Sequence, residues 1–451
     1  MSEELDLLVI GAGACGLAAA IAGHDAGGTV AVLEKLDRPG GNSSLSTGSI
    51  PGAGSRFQKA AGIEDSPEQM IQDLIAVAGH HDADDVLEMV ARECARVCEW
   101  LIDDLGARME LITAYKHIGH TVERLHAPKS RRGQDLVDDL LSFVDQRGIP
   151  LAVGNAADDL IVEDGAVVGA IVAGEPIRAK KVLLATNGFA ANRTLVAEFC
   201  PEIAQAEYFG AHGSTGEAVT WGRNLGAELG NMGAYQGYAA VAYPQGQLLS
   251  WTTIEKGGIL VGQDGRRFGN ENDGYSGYAA KVMAQGEFAW AVYDRPIHEI
   301  ALAEEEYAEM SEMGAIKWAD DPRALALEAG IDPDGLDAAV AGYEAAAKGE
   351  VADAFGRTIF GHAPLTRPLA IARVKPGLFH TQGGLMVDEG ARVRKAGGGV
   401  IPNLFAGGGA AVGISGKSGA MGYASGNGLI TAIVLGRRAA LTAMEEIGAA
   451  S

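Results

Sequence analysis

Residues 6–16 of the chain read DLLVIGAGACG, an apolar run that leads directly into a glycine-rich turn. The apolar run predicts a buried strand, and the alanine-rich stretch that follows the turn predicts a helix. Gly11, Gly13 and Gly16 allow a tight turn that brings the start of this helix onto a pyrophosphate. Glu34 closes the next predicted strand, 18 residues after Gly16, where an acid can accept hydrogen bonds from a ribose. These residues predict a βαβ unit that binds a dinucleotide.

A second glycine-rich stretch lies near the other end of the chain. Residues 403–409 read NLFAGGG, and a run rich in Gly, Ala and Ser continues to residue 428. Because a cofactor held by both ends of the chain must be long, we expect FAD. Residues 38–48, RPGGNSSLSTG, offer glycines and small hydroxyl groups for its pyrophosphate and ribityl chain. The sequence therefore predicts an α/β fold, with a Rossmann-like FAD-binding domain of the type that has two dinucleotide-binding motifs.

Length, charge and cysteine spacing narrow the class of protein. A chain of 451 residues predicts two domains, and a formal charge of −23 argues against nucleic acid or an anionic membrane as partner. The start of the chain shows no signal peptide and no apolar run is long enough for a membrane span, so we expect a cytoplasmic location. The four cysteines show no spacing typical of haem, Fe–S or metal ligation. Cys94 and Cys98 are predicted to lie in the core, on one face of a helix.

The amino-acid composition of the sequence changes at about residue 237. Before it, helices are predicted over residues 66–79, 84–105 and 136–147, with strands over 160–172 and 181–186. Between residues 237 and 378 aromatic residues and charged helices dominate. We therefore predict a cofactor domain formed by residues 1–236 and 379–451, with an inserted α+β cap or substrate domain over residues 237–378.

Four further motifs carry a family resemblance. They are VLLATNGF at residues 182–189, GSTGEA at 213–218, GRRFGNE at 265–271 and HTQGG at 380–384. They resemble the A-T-G-G-F, T-G-D/E-G, G-x-R-F-x-N-E and H-T-x-G-G segments of the fumarate reductase and succinate dehydrogenase flavoproteins (FAD-binding 2 type), a family that includes 3-ketosteroid dehydrogenases. Asn187 stands where the family usually has glycine.

The motifs and the resemblance together define an expected FAD site. No histidine lies within residues 41–44, so the covalent flavin link of some family members is not expected and FAD should bind non-covalently. The residues expected to contact FAD are Gly11, Gly13, Ala14, Cys15, Gly16, Glu34, Lys35, Gly40, Gly41, Asn42, Ser43, Ser44, Thr47, Gly48, Ala157, Ala185, Thr186, Asn187, Gly188, Gly408, Gly409, Gly428 and Leu429.

The expected catalytic residues depart from the fumarate reductase pattern. In those enzymes an arginine just after the N-E of the cap motif delivers a proton, and here Tyr275 takes its place. Trp251-Thr252 stands in place of the Thr-Glu pair that binds fumarate, and Tyr238 lies where a substrate-binding histidine is expected. His380 alone of the dicarboxylate-binding set clearly matches.

The N-E-x-x-x-Tyr pattern is similar instead to 3-ketosteroid dehydrogenases. There a tyrosine removes a proton beside a ketone while hydride leaves the neighbouring carbon for flavin N5. Tyr423 resembles the second tyrosine of those enzymes, which hydrogen-bonds the carbonyl oxygen. The resemblance therefore implies an FAD-dependent dehydrogenase acting on CH–CH groups of a cyclic ketone, with Tyr275, His380, Tyr423 and Tyr238 as candidate catalytic residues.

Other interpretations stay open at this point. Tyr275 can alternatively be a packing residue of an aromatic-rich cap. The reaction can run in reverse, as an ene-reductase of an unsaturated acid or enone, with Arg131 or Arg373 as an anion clamp. A non-catalytic flavin-binding protein is a third alternative. His126 and Arg131 are candidate substrate contacts or members of a solvated basic loop. We expect a small-molecule substrate and a diffusible electron acceptor, and the oligomeric state is left open.

Overall fold

A computed structural model describes residues 4–450 of the chain. The strands of this part are, in chain order, β1 (Leu5–Ile10), β2 (Val30–Leu33), β3 (Ile50–Pro51), β4 (Met109–Leu111), β5 (Leu125–Pro128), β6 (Leu151–Ala152), β7 (Ala157–Glu163), β8 (Ala166–Val172), β9 (Glu175–Leu184), β10 (Glu207–Tyr208), β11 (Leu229–Gly230), β12 (Gly233–Ala242), β13 (Ile259–Val261), β14 (Ala289–Asp294), β15 (Ile316–Ala319), β16 (Leu369–Thr381), β17 (Gly384–Leu385), β18 (Arg392–Arg394), β19 (Val400–Ala406) and β20 (Ser418–Gly419). The helices are α1 (Ala14–Asp25), α2 (Gly41–Leu45), α3 (Arg56–Ala60), α4 (Pro67–Ala78), α5 (Asp84–Glu99), α6 (Gly133–Gln146), α7 (Arg193–Phe199), α8 (Glu217–Asn224), α9 (Thr252–Glu255), α10 (Gly274–Gly277), α11 (Ala279–Met283), α12 (Arg295–Ala301), α13 (Glu305–Glu312), α14 (Pro322–Ala329), α15 (Pro333–Ala347) and α16 (Asn427–Ala450).

The chain divides into two compact units. Unit 1 contains the residues through Cys200, Gly210–Tyr235 and the residues from His380 onward, and unit 2 contains Pro201–Phe209 and Gln236–Phe379. The predicted boundaries at residues 236 and 379 differ from these by one residue. The sequence analysis assigns 201–209 to the cofactor domain, whereas these residues lie in unit 2. This segment belongs to unit 2 because its strand β10 pairs in parallel with β16.

Unit 1 is built on a mostly parallel sheet with the strand order β18-β19-β9-β1-β2-β6. Strand β1 lies between β2 and β9, and both neighbours run parallel to it. Strand β19 pairs in parallel with the far edge of β9, so the two ends of the chain meet in one sheet. The hairpin of β7 and β8 joins β9 through antiparallel pairing. Buried aliphatic residues fill these central strands, which is typical of a sheet covered on both faces.

Helices of unit 1 follow from local sequence signals. Ser66 caps α4 by accepting a hydrogen bond from the Gln69 N–H, and Pro67 takes the first helical position, as the sequence predicts. Helix α5 places Cys94 and Cys98 fully in the core, which confirms that prediction. Helix α1 packs against the C-terminal helix α16.

Unit 2 has its own antiparallel sheet and its own hydrophobic core. Its long strand β16 pairs with β14 and β15 in antiparallel fashion, and β13 extends the sheet beyond β14. Helices α9 to α15 belong to this unit. Separate sheet and helix segments of this kind make it the α+β insertion that the sequence predicts. Within residues 4–450 no helix is both long and apolar enough to cross a membrane.

The lowered pKa values of three histidines in unit 1 indicate how the stability of the protein depends on pH. Burial lowers the pKa of His120, His126 and His380 to about 4, whereas an imidazole in an unfolded chain has a pKa of about 6.5. Between these values the unfolded state binds more protons than the folded state, so lowering the pH favours unfolding. We expect the melting temperature to fall between pH 7 and pH 5.

His126→Gln should reduce this slope, and His24→Gln, at a side chain that is 42% exposed, should leave it unchanged. A melting temperature that stays constant from pH 7 to pH 5 would contradict the proposed burial of neutral imidazoles.

Candidate active site in the cofactor unit

A cleft with about 520 Å³ of empty space lies in unit 1 where β1, β2 and β9 end. The carboxyl ends of parallel strands are the usual place for a ligand in such sheets. Of the residues predicted to contact FAD, the cleft is lined by Gly11, Glu34, Lys35, Gly41, Ala157, Ala185, Thr186 and Asn187. It is also lined by Ile10, Leu33, Leu36, Asn155, Ala211, Gly213, Glu217 and Trp221, which the sequence analysis did not predict.

The turn after β1 depends on glycine at position 11. Gly11 has a φ of +110°, and a Cβ there would lie 2.2 Å from the Ala185 carbonyl oxygen. Only glycine allows the β1 turn to approach the end of β9 so closely. This contact joins two of the strand ends that border the cleft.

Glu34 organises the adjacent strand end. One carboxylate oxygen accepts the Ala12 N–H at 2.9 Å, and the other accepts the Leu36 N–H at 2.9 Å. The side chain is nearly buried, and each oxygen has a further lone pair that can accept from a ribose hydroxyl. Glu34 therefore shapes the turn as well as offering the acceptor that its spacing predicts.

The segment from Gly40 to Gly48 folds back onto the start of α1. Gly40 bridges to Gly13, and Ser43 Oγ accepts the Ala14 N–H at 3.1 Å. Asn42 Oδ1 accepts the Ala211 N–H at 2.7 Å. The remaining hydroxyls of this segment bond locally: Ser44 Oγ to the Gly41 carbonyl, and Thr47 Oγ1 to Ser49 Oγ, while the Gly48 N–H donates to Ser46 Oγ.

The conformation and hydrogen bonds of Asn187 explain why asparagine can replace the glycine that is usual in the family. Its φ is +65°, a left-handed conformation that asparagine adopts more readily than most residues other than glycine. Its Oδ1 accepts the Gly188 N–H at 2.9 Å, and its Nδ2 donates to Ser214 Oγ at 2.8 Å. The side chain thus stabilises the turn that glycine usually makes.

The C-terminal glycines complete the same region of unit 1. A Cβ at Gly408 would lie 3.2 Å from Cys15 Cβ, and one at Gly409 would lie 2.6 Å from Asn187 Oδ1. Gly428 and Leu429 lie in the first turn of α16. Cys15 and Gly16 begin α1, where burial raises the pKa of the Cys15 thiol to about 12. The thiol is therefore a packing group and not a nucleophile.

Two buried polar side chains test whether these residues fit FAD. Thr186 Oγ1, in the lining of the cleft, is buried and has no hydrogen-bond partner within residues 4–450. Asn427, 1% exposed at the start of α16, lacks partners for both side-chain atoms among the same residues. Buried polar groups normally have partners, so these atoms fit a cofactor that supplies them. Asn427 was missed in the sequence analysis, although an asparagine before a helix in a glycine-rich stretch is a recognisable signal.

His380 and Tyr423 are the catalytic candidates of unit 1. Gln382 Nε2 donates to His380 Nε2 at 2.9 Å, which leaves the ring proton on Nδ1. A Cβ at Gly428 would lie 3.7 Å from His380 Nε2, so this ring faces the first turn of α16. Tyr423 is half-buried in the loop that leads into the same helix.

Tyr275 and Tyr238 are the candidates of unit 2. Tyr275 is half-buried in α10, with its ring 5.1 Å from that of Tyr238 and 6.5 Å from that of Trp251. The Tyr238 hydroxyl donates to the Leu249 carbonyl at 2.9 Å and accepts the Trp251 N–H at 3.1 Å. These backbone bonds occupy the Tyr238 hydroxyl, and burial raises its pKa, so the catalytic role of Tyr238 stays a prediction that these contacts do not favour.

His126, a candidate substrate contact, has its partners within unit 1. The side chain is fully buried, with Nδ1 donating to the Arg124 carbonyl at 3.1 Å and Nε2 lying 3.3 Å from Ser55 Oγ. It is a core histidine with satisfied nitrogens. Arg131 lies at a left-handed position (φ +57°), with its guanidinium 5.9 Å from the Tyr115 ring.

Comparison with known proteins agrees with this geometry. The chain is 29% identical over 447 residues to NADH:fumarate oxidoreductase of Klebsiella pneumoniae (strain 342), covering 97% of this chain and 48% of that protein. It is 27% identical over 426 residues to urocanate reductase of Eggerthella lenta, covering 90% of this chain and 70% of that protein. The chain thus spans about half the length of the first relative.

Solved structures show the same fold. An open conformation of a flavocytochrome c3 fumarate reductase gives a TM-score of 0.82 at 27% identity, over 98% of this chain and 78% of that one. The 3-ketosteroid Δ1-dehydrogenase of Sterolibacterium denitrificans gives 0.81 at 20% identity, over 99% of this chain and all of that one. Fold and site together define a flavin-dependent oxidoreductase.

The chain belongs to the FAD_binding_2 family, described as FAD binding domain, whose model matches residues 6–429. FAD as cofactor, the α/β flavoprotein fold and the resemblance to fumarate reductases and ketosteroid dehydrogenases are therefore confirmed.

Thr186→Val tests whether FAD supplies the missing partner of the Thr186 hydroxyl. FAD should bind roughly fivefold more weakly, which corresponds to a net hydrogen bond of about 1 kcal/mol. The cofactor-free protein should melt at the same temperature or higher, because the substitution removes a buried polar atom without a partner. Titration of the cofactor-free protein with FAD and its thermal melting measure the two effects.

Thr253→Val is the matched control, because Thr253 Oγ1 donates to the Ser250 carbonyl at 2.8 Å in unit 2. That variant should melt lower and bind FAD normally. Unchanged FAD affinity in Thr186→Val would show that the hydroxyl has no role in the cofactor site.

Proposed function

We propose that the protein is an FAD-dependent dehydrogenase that forms a C=C bond next to the carbonyl of a cyclic ketone, with Tyr275 as the base. The observation that carries the proposal is the environment of Tyr275 in unit 2. Its ring packs beside Tyr238, which in turn stacks on Phe379 with ring centroids 5.5 Å apart, and Trp251 closes the cluster. A tyrosine in an aromatic surrounding suits an apolar ring substrate.

The same cluster argues against a dicarboxylate. Trp251 is 5% exposed and packs near Tyr275, at the place of the Thr-Glu pair that binds fumarate in the resembled enzymes. Thr252 Oγ1 donates to Glu304 Oε1 at 2.8 Å, so this hydroxyl already has an anionic acceptor. Arg373, the candidate anion clamp, lies over the rings of Tyr243 and Phe288 at 5.1 and 4.6 Å.

Each residue then has a defined task. Tyr275, in its phenolate form, accepts the proton from the carbon beside the ketone. Tyr423 donates a hydrogen bond to the carbonyl oxygen, and neutral His380, which carries its proton on Nδ1, orients the carbonyl group. Such donors stabilise the negative charge that develops on the carbonyl oxygen. The cleft and loops of unit 1 would hold FAD, which when bound would supply the two-electron acceptor, with a diffusible molecule as the final acceptor.

A second candidate function is the reduction of an activated C=C bond. It is favoured by the named relatives, which include an NADH:fumarate oxidoreductase and a urocanate reductase. In that direction Tyr275 gives its proton to the substrate, so the same side chain serves both reactions.

The direction can be tested with the purified holoprotein. Under anaerobic conditions a saturated cyclic ketone should bleach the oxidised flavin, and a dye acceptor should then sustain turnover. Fumarate and urocanate should fail to reoxidise the dithionite-reduced flavin at a comparable rate. Rapid reoxidation by either acid, without reduction by any ketone, would establish the second candidate function instead.

Tyr275→Phe tests the base. Turnover should fall by about 10²- to 10⁴-fold, the usual contribution of a general acid or base, while FAD content stays normal. Tyr278→Phe is a matched control three residues along, because the buried Tyr278 hydroxyl has no hydrogen-bond partner within the described chain. The control should retain turnover and stability. Equal activity in the two variants would remove Tyr275 from the mechanism.

A further inference from the structure

A buried ion cluster lies in unit 1 outside the cofactor cleft. The Arg124 side chain is fully buried and binds Asp65 through two hydrogen bonds of 2.9 Å, from Nε and Nη2. Its Nη1 lies 2.8 Å from Asp73 Oδ2. Both carboxylates accept further bonds, Asp65 from Gln58 Nε2 and Asp73 from the Thr121 N–H. Because the guanidinium is held at so many points, it is a rigid support for a group that accepts a hydrogen bond from one of its remaining N–H donors.

His120 is the next member of this network. Arg124 Nη1 lies 3.2 Å from His120 Nδ1, and because arginine can only donate, that nitrogen must carry the lone pair. The ring proton therefore lies on Nε2, which donates to the Ser425 carbonyl at 2.8 Å. Burial, followed by the nearby Arg124 charge, lowers the pKa of His120 to about 4, so the ring stays neutral and keeps this tautomer.

The segment containing His120 holds Ser425 from both sides. The Ser425 N–H donates to the Ile118 carbonyl at 3.0 Å, while its own carbonyl accepts from His120. Between these two contacts Gly119 has a φ of +82°, and a Cβ there would lie 2.3 Å from Ala424 Cβ. The two loops thus approach as closely as a residue without a side chain permits.

Ser425 occupies a short stretch with two important neighbours. Tyr423 lies two residues before it, and Asn427, which begins α16, lies two residues after it. The first turn of α16 also faces His380 through Gly428. The Ser425 backbone, held by these two contacts, therefore lies between the residue that carries the Tyr423 ring and the start of the helix.

We propose that His120 is a positioning residue, which transmits the rigidity of the Arg124 cluster to the loop that carries Tyr423. This inference rests on the proposed function for its effect on turnover, and on the Ser425 contacts alone for its effect on the loop. His120 touches neither substrate nor cofactor in this role. It acts by holding the Ser425 carbonyl, and it needs one acceptor and one donor to do so.

Two substitutions separate this role from simple packing. His120→Gln keeps an oxygen that accepts from Arg124 and an amide that donates to Ser425, whereas His120→Leu removes both. The exposed His24→Leu is the control. We expect kcat for ketone oxidation to fall about 10- to 100-fold in His120→Leu, as for a small misplacement of a reacting group. FAD content should stay normal, and His120→Gln and His24→Leu should resemble the wild type.

A second measurement needs no substrate. Lys417 is the only lysine or arginine between residues 396 and 436, and its side chain is 66% exposed directly before β20, the strand that leads into the loop with Tyr423 and Ser425. Trypsin should cut after Lys417 faster in His120→Leu than in the wild type, and His120→Gln should restore the slow rate. If the wild type oxidises no ketone but this pattern holds, the proposed function fails and the loop anchoring stands.

A double-substitution cycle shows whether His120 acts through Tyr423. The variant with both His120→Leu and Tyr423→Phe should lose no more kcat than Tyr423→Phe alone, because the two changes disturb one interaction. Additive losses would show that His120 acts by another route. A His120→Leu variant with wild-type kcat and wild-type cleavage at Lys417, or a His120→Gln variant as impaired as His120→Leu, would overturn the proposal.

Discussion

The parallel pairing of β1, β9 and β19 is the constraint on which the cofactor unit depends. Ile10 pairs with Leu184 across β1 and β9, and Leu184 pairs with Ala406 across β9 and β19. The three strands run in the same direction and end at the same level. The turns that follow them therefore lie together at one edge of the sheet, although they come from three distant parts of the chain. A shift of one residue in either pairing would turn the buried side chains of the strand to the opposite face of the sheet. Strand register therefore brings the dinucleotide site together, and Gly11 lets the turn after β1 fit against the end of β9.

Both units hold the segments that we propose to act in catalysis with a buried guanidinium. In unit 1, Arg124 binds two aspartates and supports His120. In unit 2, Glu271 accepts from Arg267 and Arg357, and this glutamate lies four residues before Tyr275. Removing one partner of such a pair leaves a buried charge without compensation, which is strongly destabilising. The G-x-R-F-x-N-E motif is thus explained by the ion pair that anchors the Tyr275 segment.

The sequence predicted the cofactor unit well because its signals are local. An apolar strand, a glycine turn and a spaced acid lie within about thirty residues, so Gly11 and Glu34 were found without knowledge of the fold. Trp221 and Ala211 also line the cleft, but only folding brings them there, and the GSTGEA motif that they flank does not by itself show that they face the cofactor. The roles of His126 and Tyr238 are harder to predict for a related reason. The sequence alone does not show whether a polar side chain forms its hydrogen bonds with a substrate or with the protein backbone, as His126 and Tyr238 do.

The thiol at the start of α1 has a practical consequence. All four cysteines are free and buried, and a Cβ at Gly407 would lie only 2.6 Å from Cys15 Sγ. An alkylating reagent needs both access and a thiolate, and the folded chain offers Cys15 neither. Covalent labelling of this residue would therefore occur only in molecules whose glycine turns have separated. The rate at which Cys15 is labelled, followed by mass spectrometry, would report how often the glycine turns separate and how far bound nucleotide suppresses this separation.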